Sequence, residues 1–224
     1  PAVALASVVA FSGNALAQSE QQQLVDAAQA TLSDFVRDPD MGWMQRHLPE
    51  AKAVLVAPQI VKAGYIFGGS GGRAVLFARN ARTGKWDGPA FYNVGAATVG
   101  FQAGIAVSET VTLVMTDKAL NSLMSPTVKL GGDATIAAGP VGAGAASNVA
   151  ADFVAFSRSK GVYGGLNLEG SVIAVADDWN ASYYGKTVTP TDIALDAKVR
   201  NPQAQRMASD LERASMRQRT SSVR

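Results

Sequence analysis

The sequence contains no cysteine. That excludes disulfides, thiolate metal ligands and a cysteine nucleophile. It has one histidine, His47, and one imidazole without a thiolate cannot assemble a zinc site of the usual His and Cys ligands. Aromatic residues are only 7% of the chain, and no stretch reaches the ~20 apolar residues of a membrane-spanning helix. The excess of positive charge is only +2, too little for a uniformly basic nucleic-acid binder.

What is abundant is glycine, 22 residues in 224. Together with 47% hydrophobic residues it predicts turns and closely packed strands rather than a helical bundle. Residues 61–79, VKAGYIFGGSGGRAVLFAR, hold the densest group, Gly68, Gly69, Gly71 and Gly72 around Ser70. Both flanks are strand-like, so the glycines read as the turn of a hairpin. On that reading Lys62 and Arg73 lie near each other on neighbouring strands, beside Arg79 and Lys85.

The same stretch has the form G-x-S-x-G at Gly68-x-Ser70-x-Gly72. A nucleophile elbow needs a strand-to-helix turn, then an acid and a histidine, whereas His47 lies upstream and AVLFAR continues as strand. Gly69-x-Gly71-x-x-Ala74 resembles a dinucleotide fingerprint, but that motif must open a helix. No Walker loop GxxxxGK[ST] occurs. Asp177 and Asp178 are adjacent and read as surface turn chemistry. The expectation is therefore a non-enzymatic chain with no catalytic residue, metal or cofactor.

In order along the chain, residues 1–17 carry no charge and end in Ala15-Leu16-Ala17, which fits an A-x-A cleavage site. We expect a signal peptide there and an exported bacterial protein, periplasmic or secreted. Residues 21–37 place Leu24, Ala28, Leu32 and Phe35 on one helical face, and Asp38-Pro39 ends the helix. A short helical piece holds Met41, Met44 and Leu48, with Trp43 beside them. Strand-like segments then run to Thr116, with a turn at Thr83-Gly84-Lys85 and a half-buried strand in which Val111, Leu113 and Met115 alternate with threonines. Thr116 or Asp117 caps a helix carrying Leu120, Leu123 and Met124.

Further on, residues 128–138 pass through a Gly131-Gly132 turn, and residues 153–156 and 162–176 read as a hairpin about Ser159-Lys160-Gly161. Residues 178–184 form a short helix, and Thr189-Pro190-Thr191-Asp192 opens another over 193–199. Residues 201–224 are a basic tail, either helical or disordered. The fold class is α+β: N-terminal helices on a strongly curved, mostly antiparallel sheet of six or more strands, approaching a barrel where glycines bend it.

Charge is distributed in blocks. Residues 18–50 carry six acids and two bases, 51–130 eight bases and three acids, 131–197 seven acids and three bases, and 198–224 seven bases and two acids. The surface is polarised, with a basic middle and a basic tail.

Several short motifs follow one another in a recognisable order. Leu48-Pro49-x-Ala51-Lys52, Val61-Lys62-Ala63-Gly64, Gly68-Gly69-x-x-Gly72 and Val75-Leu76-x-Ala78-Arg79 come first. Gly84-x-Trp86-x-x-Pro89, Gly100-Phe101-Gln102-Ala103-Gly104, Leu130-Gly131-Gly132 and Ala137-Ala138-Gly139-Pro140 follow. Gly164-Gly165-Leu166-x-Leu168-Glu169-Gly170-Ser171, Tyr183-Tyr184-Gly185 and Val188-Thr189-Pro190 close the series. Over residues 34–197 this resembles the SYLF domain, also called the Ysc84-type actin-binding domain. The resemblance implies a binding module within residues 18–200. Eukaryotic members bind phosphoinositides and acidic membranes, and some fungal members bind and bundle actin.

For an exported bacterial chain, the property that carries over is affinity for anionic phospholipid, which rests on basic and apolar surface. Lysines and arginines near an anionic bilayer contribute about 1 kcal/mol each. The candidates are Lys52, Lys62, Arg73, Arg79, Arg82 and Lys85, with Trp86 as an interfacial anchor and Arg158 and Lys160 at the later hairpin. The alternative is a protein-interaction or structural role in the envelope, the basic tail contacting an acidic partner.

Overall fold

The computed structural model describes residues 18–64, 67–99, 104–142, 149–159, 162–163 and 170–221. The expected signal segment and Lys160 lie outside the described residues. Helix α1, Glu20–Arg37, is capped by the Ser19 hydroxyl, which accepts from Gln22 N. It leaves helical geometry at Asp38, before Pro39, as expected. After a 3-10 turn, Pro39–Met41, comes α2, Gly42–His47.

Four long strands follow: β1, Ala53–Gly64; β2, Phe67–Arg79; β3, Trp86–Val99; and β4, Gly104–Val114. Then come α3 (Asp117–Ser122), β5 (Thr127–Lys129), β6 (Ile136–Ala138), β7 (Phe153–Ser159), β8 (Val162–Tyr163), β9 (Val172–Val175) and α4 (Asp177–Tyr184). A π turn, Thr191–Leu195, a 3-10 turn, Pro202–Ala204, and α5, Gln205–Ser221, complete the order. Of the two caps expected for α3, Thr116 fills the role, accepting from Ala119 N.

The sheet runs β5-β9-β3-β2-β1-β4-β7-β6, with β8 paired to β7. All of these pairs are antiparallel except β6 with β7. It is strongly curled into a half-barrel. Both faces of its first half are buried. On one face Val54, Val56, Val75, Phe77, Phe91, Val111 and Leu113 pack against Val25, Leu32 and Phe35 of α1 and Met207 and Leu211 of α5. On the other, Leu55, Leu76, Tyr92 and Val114 pack against α3 and the π turn. Each fully buried large side chain contributes about 1.5–3 kcal/mol.

Four expectations are corrected. The glycines 68–72 are not a turn: they continue β2, with Gly64 opposite Gly68 and Lys62 opposite Ser70. Thr110 and Thr112 are buried like the apolar residues they alternate with, so β4 is covered on both faces there. Residues 172–175 pair with β3 and β5 rather than with β7; only β8 completes the expected hairpin. The helix expected over 193–199 is the five-residue π turn, followed by Ala197 at φ 51.

The basic tail resolves in favour of helix. Helix α5 buries Met207, Leu211 and Ala214 in the same core as α1 and α2.

Pro58 interrupts β1. Its register shifts against both neighbours there, between Val56 and Gln59 on one side and Ala57 and Ile60 on the other. Proline cannot donate to a ladder and is admitted in a central strand only at such a bulge. The bulge presses the Gln59 carbonyl onto β2: a Cβ on Gly72 would stand 2.2 Å from that oxygen. Only glycine fits opposite.

Candidate functional site

Beyond the bulge the helices no longer pack closely on the helix-side face of the sheet, and several of its apolar residues are exposed. Cross-strand partners share a face, so the register defines what is displayed. One row runs Val172, Gly95, Gly71, Val61, Val107 across β9, β3, β2, β1 and β4. The next runs Ala97, Gly69, Ala63, Ile105. Neither row holds a charged residue. Ile105 is 74% exposed, Val172 40%, Val61 38% and Val107 37%. These are four of the six exposed large hydrophobic residues among those described, and they share one surface.

Between this surface and the N-terminal half of α1 lies a groove of about 810 Å³, within the ~300–1,000 Å³ of ligand pockets. Leu24 and Ala27 of α1 and Trp179 of α4 form its walls, and Val61, Gly71 and Gly72 its floor. Arg73 stands at its edge, its guanidinium 4.1 Å from the centre of the Trp179 ring. Among the described residues no carboxylate pairs with it.

The structure does not bring the sequence-predicted basic residues together. Lys62 is half-buried on the opposite face of the sheet from Arg73, because Lys62 pairs with Ser70 while Arg73 pairs with Gln59. Arg82 and Lys85 are exposed in the β2–β3 turn, where the Asn80 side chain accepts from Arg82 N and Thr83 N. That turn lies about 20 Å or more from Arg73, at ~3.3 Å per strand residue. Lys52 bridges Asp117 at 3.1 Å.

Arg158 is held by Glu109 at 3.1 Å and Asp34 at 3.5 Å. Arg79 donates to Ser215 Oγ at 3.1 Å and lies over the Trp86 ring. Trp86 itself is 4% exposed, part of the core that α5 covers. An interfacial anchor must reach the interface, so Trp86 does not fill that role. What the expectation missed is the pair of apolar rows. The alternation of Ile105 and Val107 in GIAVSE hints at them, but assembling them takes the register of five strands.

No reacting constellation accompanies this surface among the described residues. Ser70, the serine of the G-x-S-x-G pattern, lies mid-strand between Lys62 and Ala96, without the sharp turn that exposes a nucleophile. Among the described residues, no three His, Cys, Asp or Glu side chains converge to hold a metal, and no helix is long and apolar enough to cross a membrane.

The displaced titrations serve the fold. Asp152 is held down at about 2 by the Thr116 hydroxyl, the Thr135 backbone and hydroxyl, and Lys118. Burial pushes the Tyr92 hydroxyl well up; it donates to Leu123 O at 2.7 Å.

Residues 95–214 match the family model described as "Ysc84: Las17-binding protein actin regulator", and the chain belongs to that family, bearing out the resemblance read from its motifs. It is 34% identical over 180 residues to LAS seventeen-binding protein 3 of Saccharomyces cerevisiae, covering 77% of this chain and 37% of that protein. It is 30% identical to Protein YSC84 of the same yeast, over 70% of this chain and 34% of the relative. It is 29% identical to SH3 domain-containing YSC84-like protein 1 of Homo sapiens, over 70% and 47%. The chain thus spans about a third to a half of the length of the curated relatives it matches. No solved structure matches it significantly.

Proposed function

We propose that this chain binds anionic phospholipid membranes through the uncovered end of its curled sheet, as an exported protein of the bacterial envelope, periplasmic or secreted. The observation that carries the reading is the pair of register rows, in which exposed Val172, Val61, Val107 and Ile105 are joined by glycine and alanine without an intervening charge. A contiguous exposed apolar surface marks a site that meets a partner or a membrane. Apolar side chains of this kind enter the interface while nearby cations meet the headgroups. Arg73 on the same face and Lys62 on the other flank the rows, and the export expectation rests on the uncharged segment ending in Ala15-Leu16-Ala17.

Sedimentation with phosphatidylglycerol vesicles and with phosphatidylcholine vesicles, each at two salt concentrations, tests it. The chain should follow the anionic vesicles and do so less at high salt. Equal sedimentation with both would overturn the anionic preference, and sedimentation with neither would overturn the reading and favour a protein partner, as the name of LAS seventeen-binding protein 3 gives for that relative.

A further inference from the structure

Resting on that reading, we infer that the groove beneath the N-terminal half of α1 takes up one phospholipid molecule, its acyl chain along Gly71 and Val61 and its phosphate on Arg73. The glycines of β2 supply the argument. Gly72 is required by the fold, since a Cβ there would collide with the Gln59 carbonyl, whereas at Gly71 the nearest atom to an added Cβ is Val94 O at 3.8 Å. Packing therefore does not demand a bare position at 71, and a glycine inside a strand costs stability. Its effect is to leave the groove floor without a side chain, where another molecule can lie against the backbone.

The walls suit an alkyl chain. Leu24 and Ala27 face Trp179 across the floor. Val61 belongs to both the groove and the exposed apolar row, so the path from a bilayer into the groove is continuous. Charge fixes the orientation: Glu20 lines the α1 side and repels a phosphate, while the Trp179 ring holds the Arg73 guanidinium at 4.1 Å with no carboxylate among the described residues to neutralise it. An anionic headgroup supplies the missing partner.

The test separates uptake from surface binding. The purified chain is incubated with phosphatidylglycerol vesicles, freed of them by flotation, and examined by native mass spectrometry. We expect one phospholipid per chain. Gly71→Leu fills the floor with a residue that a strand accepts, and should lower lipid occupancy about ten-fold or more. Arg73→Glu should lower occupancy as well. A chain that sediments with vesicles but emerges free of lipid overturns the inference and leaves the membrane reading standing, as does undiminished occupancy in a folded Gly71→Leu variant. A chain that neither sediments nor retains lipid overturns both.

Discussion

Strands β1 to β4 change character at the bulge around Pro58. On one side of it the helix-facing positions are Val54, Val56, Val75, Phe77, Phe91, Val111 and Leu113, all buried under α1, α2 and α5. On the other side the same face, on the same strands, carries Val61, Ala63, Gly69, Gly71, Gly95, Ile105 and Val107, and α1 stands across a groove from Val61 and Gly71 instead of packing on them. The same strands stay paired on both sides of the bulge, so backbone pairing does not distinguish the halves. Side-chain volume and cover do. The covered half holds large residues that stabilise the fold, and the uncovered half holds small and exposed apolar ones that contribute little to stability and are free to meet something else.

Substitutions on either side should separate the halves. Phe77→Ala, on the covered side and fully buried, should lower stability to urea unfolding by about 3–5 kcal/mol. Val61→Ala, a few residues beyond the bulge on β1, should stay within about 0.5 kcal/mol. Comparable losses at the two sites would erase the division.

Asn180 of α4 sharpens the covered side further. Its Oδ1 accepts from Phe91 N at 2.8 Å and its Nδ2 donates to Phe91 O at 3.3 Å. Removing the amide strands the Phe91 N–H at about 1–3 kcal/mol, while Phe91 O keeps the Ala176 N–H at 3.0 Å, so Asn180→Ala should lower the Tm.

A smaller, pH-dependent effect belongs to Asp152, which joins Thr116 to Thr135. Its folded pKa of about 2 lies below the ordinary 3.8, so the ionised form favours the folded state. That contribution is present in full above about pH 4 and is lost as pH falls towards 2. Asp152→Asn should flatten the stability profile across this window, which a series of thermal melts from pH 5 to 2 reads directly.

Smallest in stability is Ile105→Asp. At 74% exposure it should move the Tm hardly at all, yet reduce binding to anionic vesicles about ten-fold. Unchanged sedimentation would place the contact elsewhere.

Much of the covered half was legible from sequence. Helix α1 follows from the spacing of Leu24, Ala28, Leu32 and Phe35, and the α3 cap from Thr116, because both signals are local. Ser70 and its flanking glycines misled because glycine's local preference for turns was overridden by pairing on both sides of β2. Trp86 misled because the helix that buries it begins at Gln205, far along the chain. Arg79 and Arg158 likewise read as free surface charge, while their partners Ser215, Asp34 and Glu109 come together only in the fold. The apolar rows join residues from Val61 to Val172, so no single window of sequence contains them.

Hydrogen exchange of the chain with and without phosphatidylglycerol vesicles tests the central claim most directly, because it maps contact along each strand. Added protection is expected in residues 59–63, 69–73 and 104–108, with residues 80–85, which carry Arg82 and Lys85, unchanged. Protection confined to residues 80–85, or absent from both ends of the sheet, would contradict it.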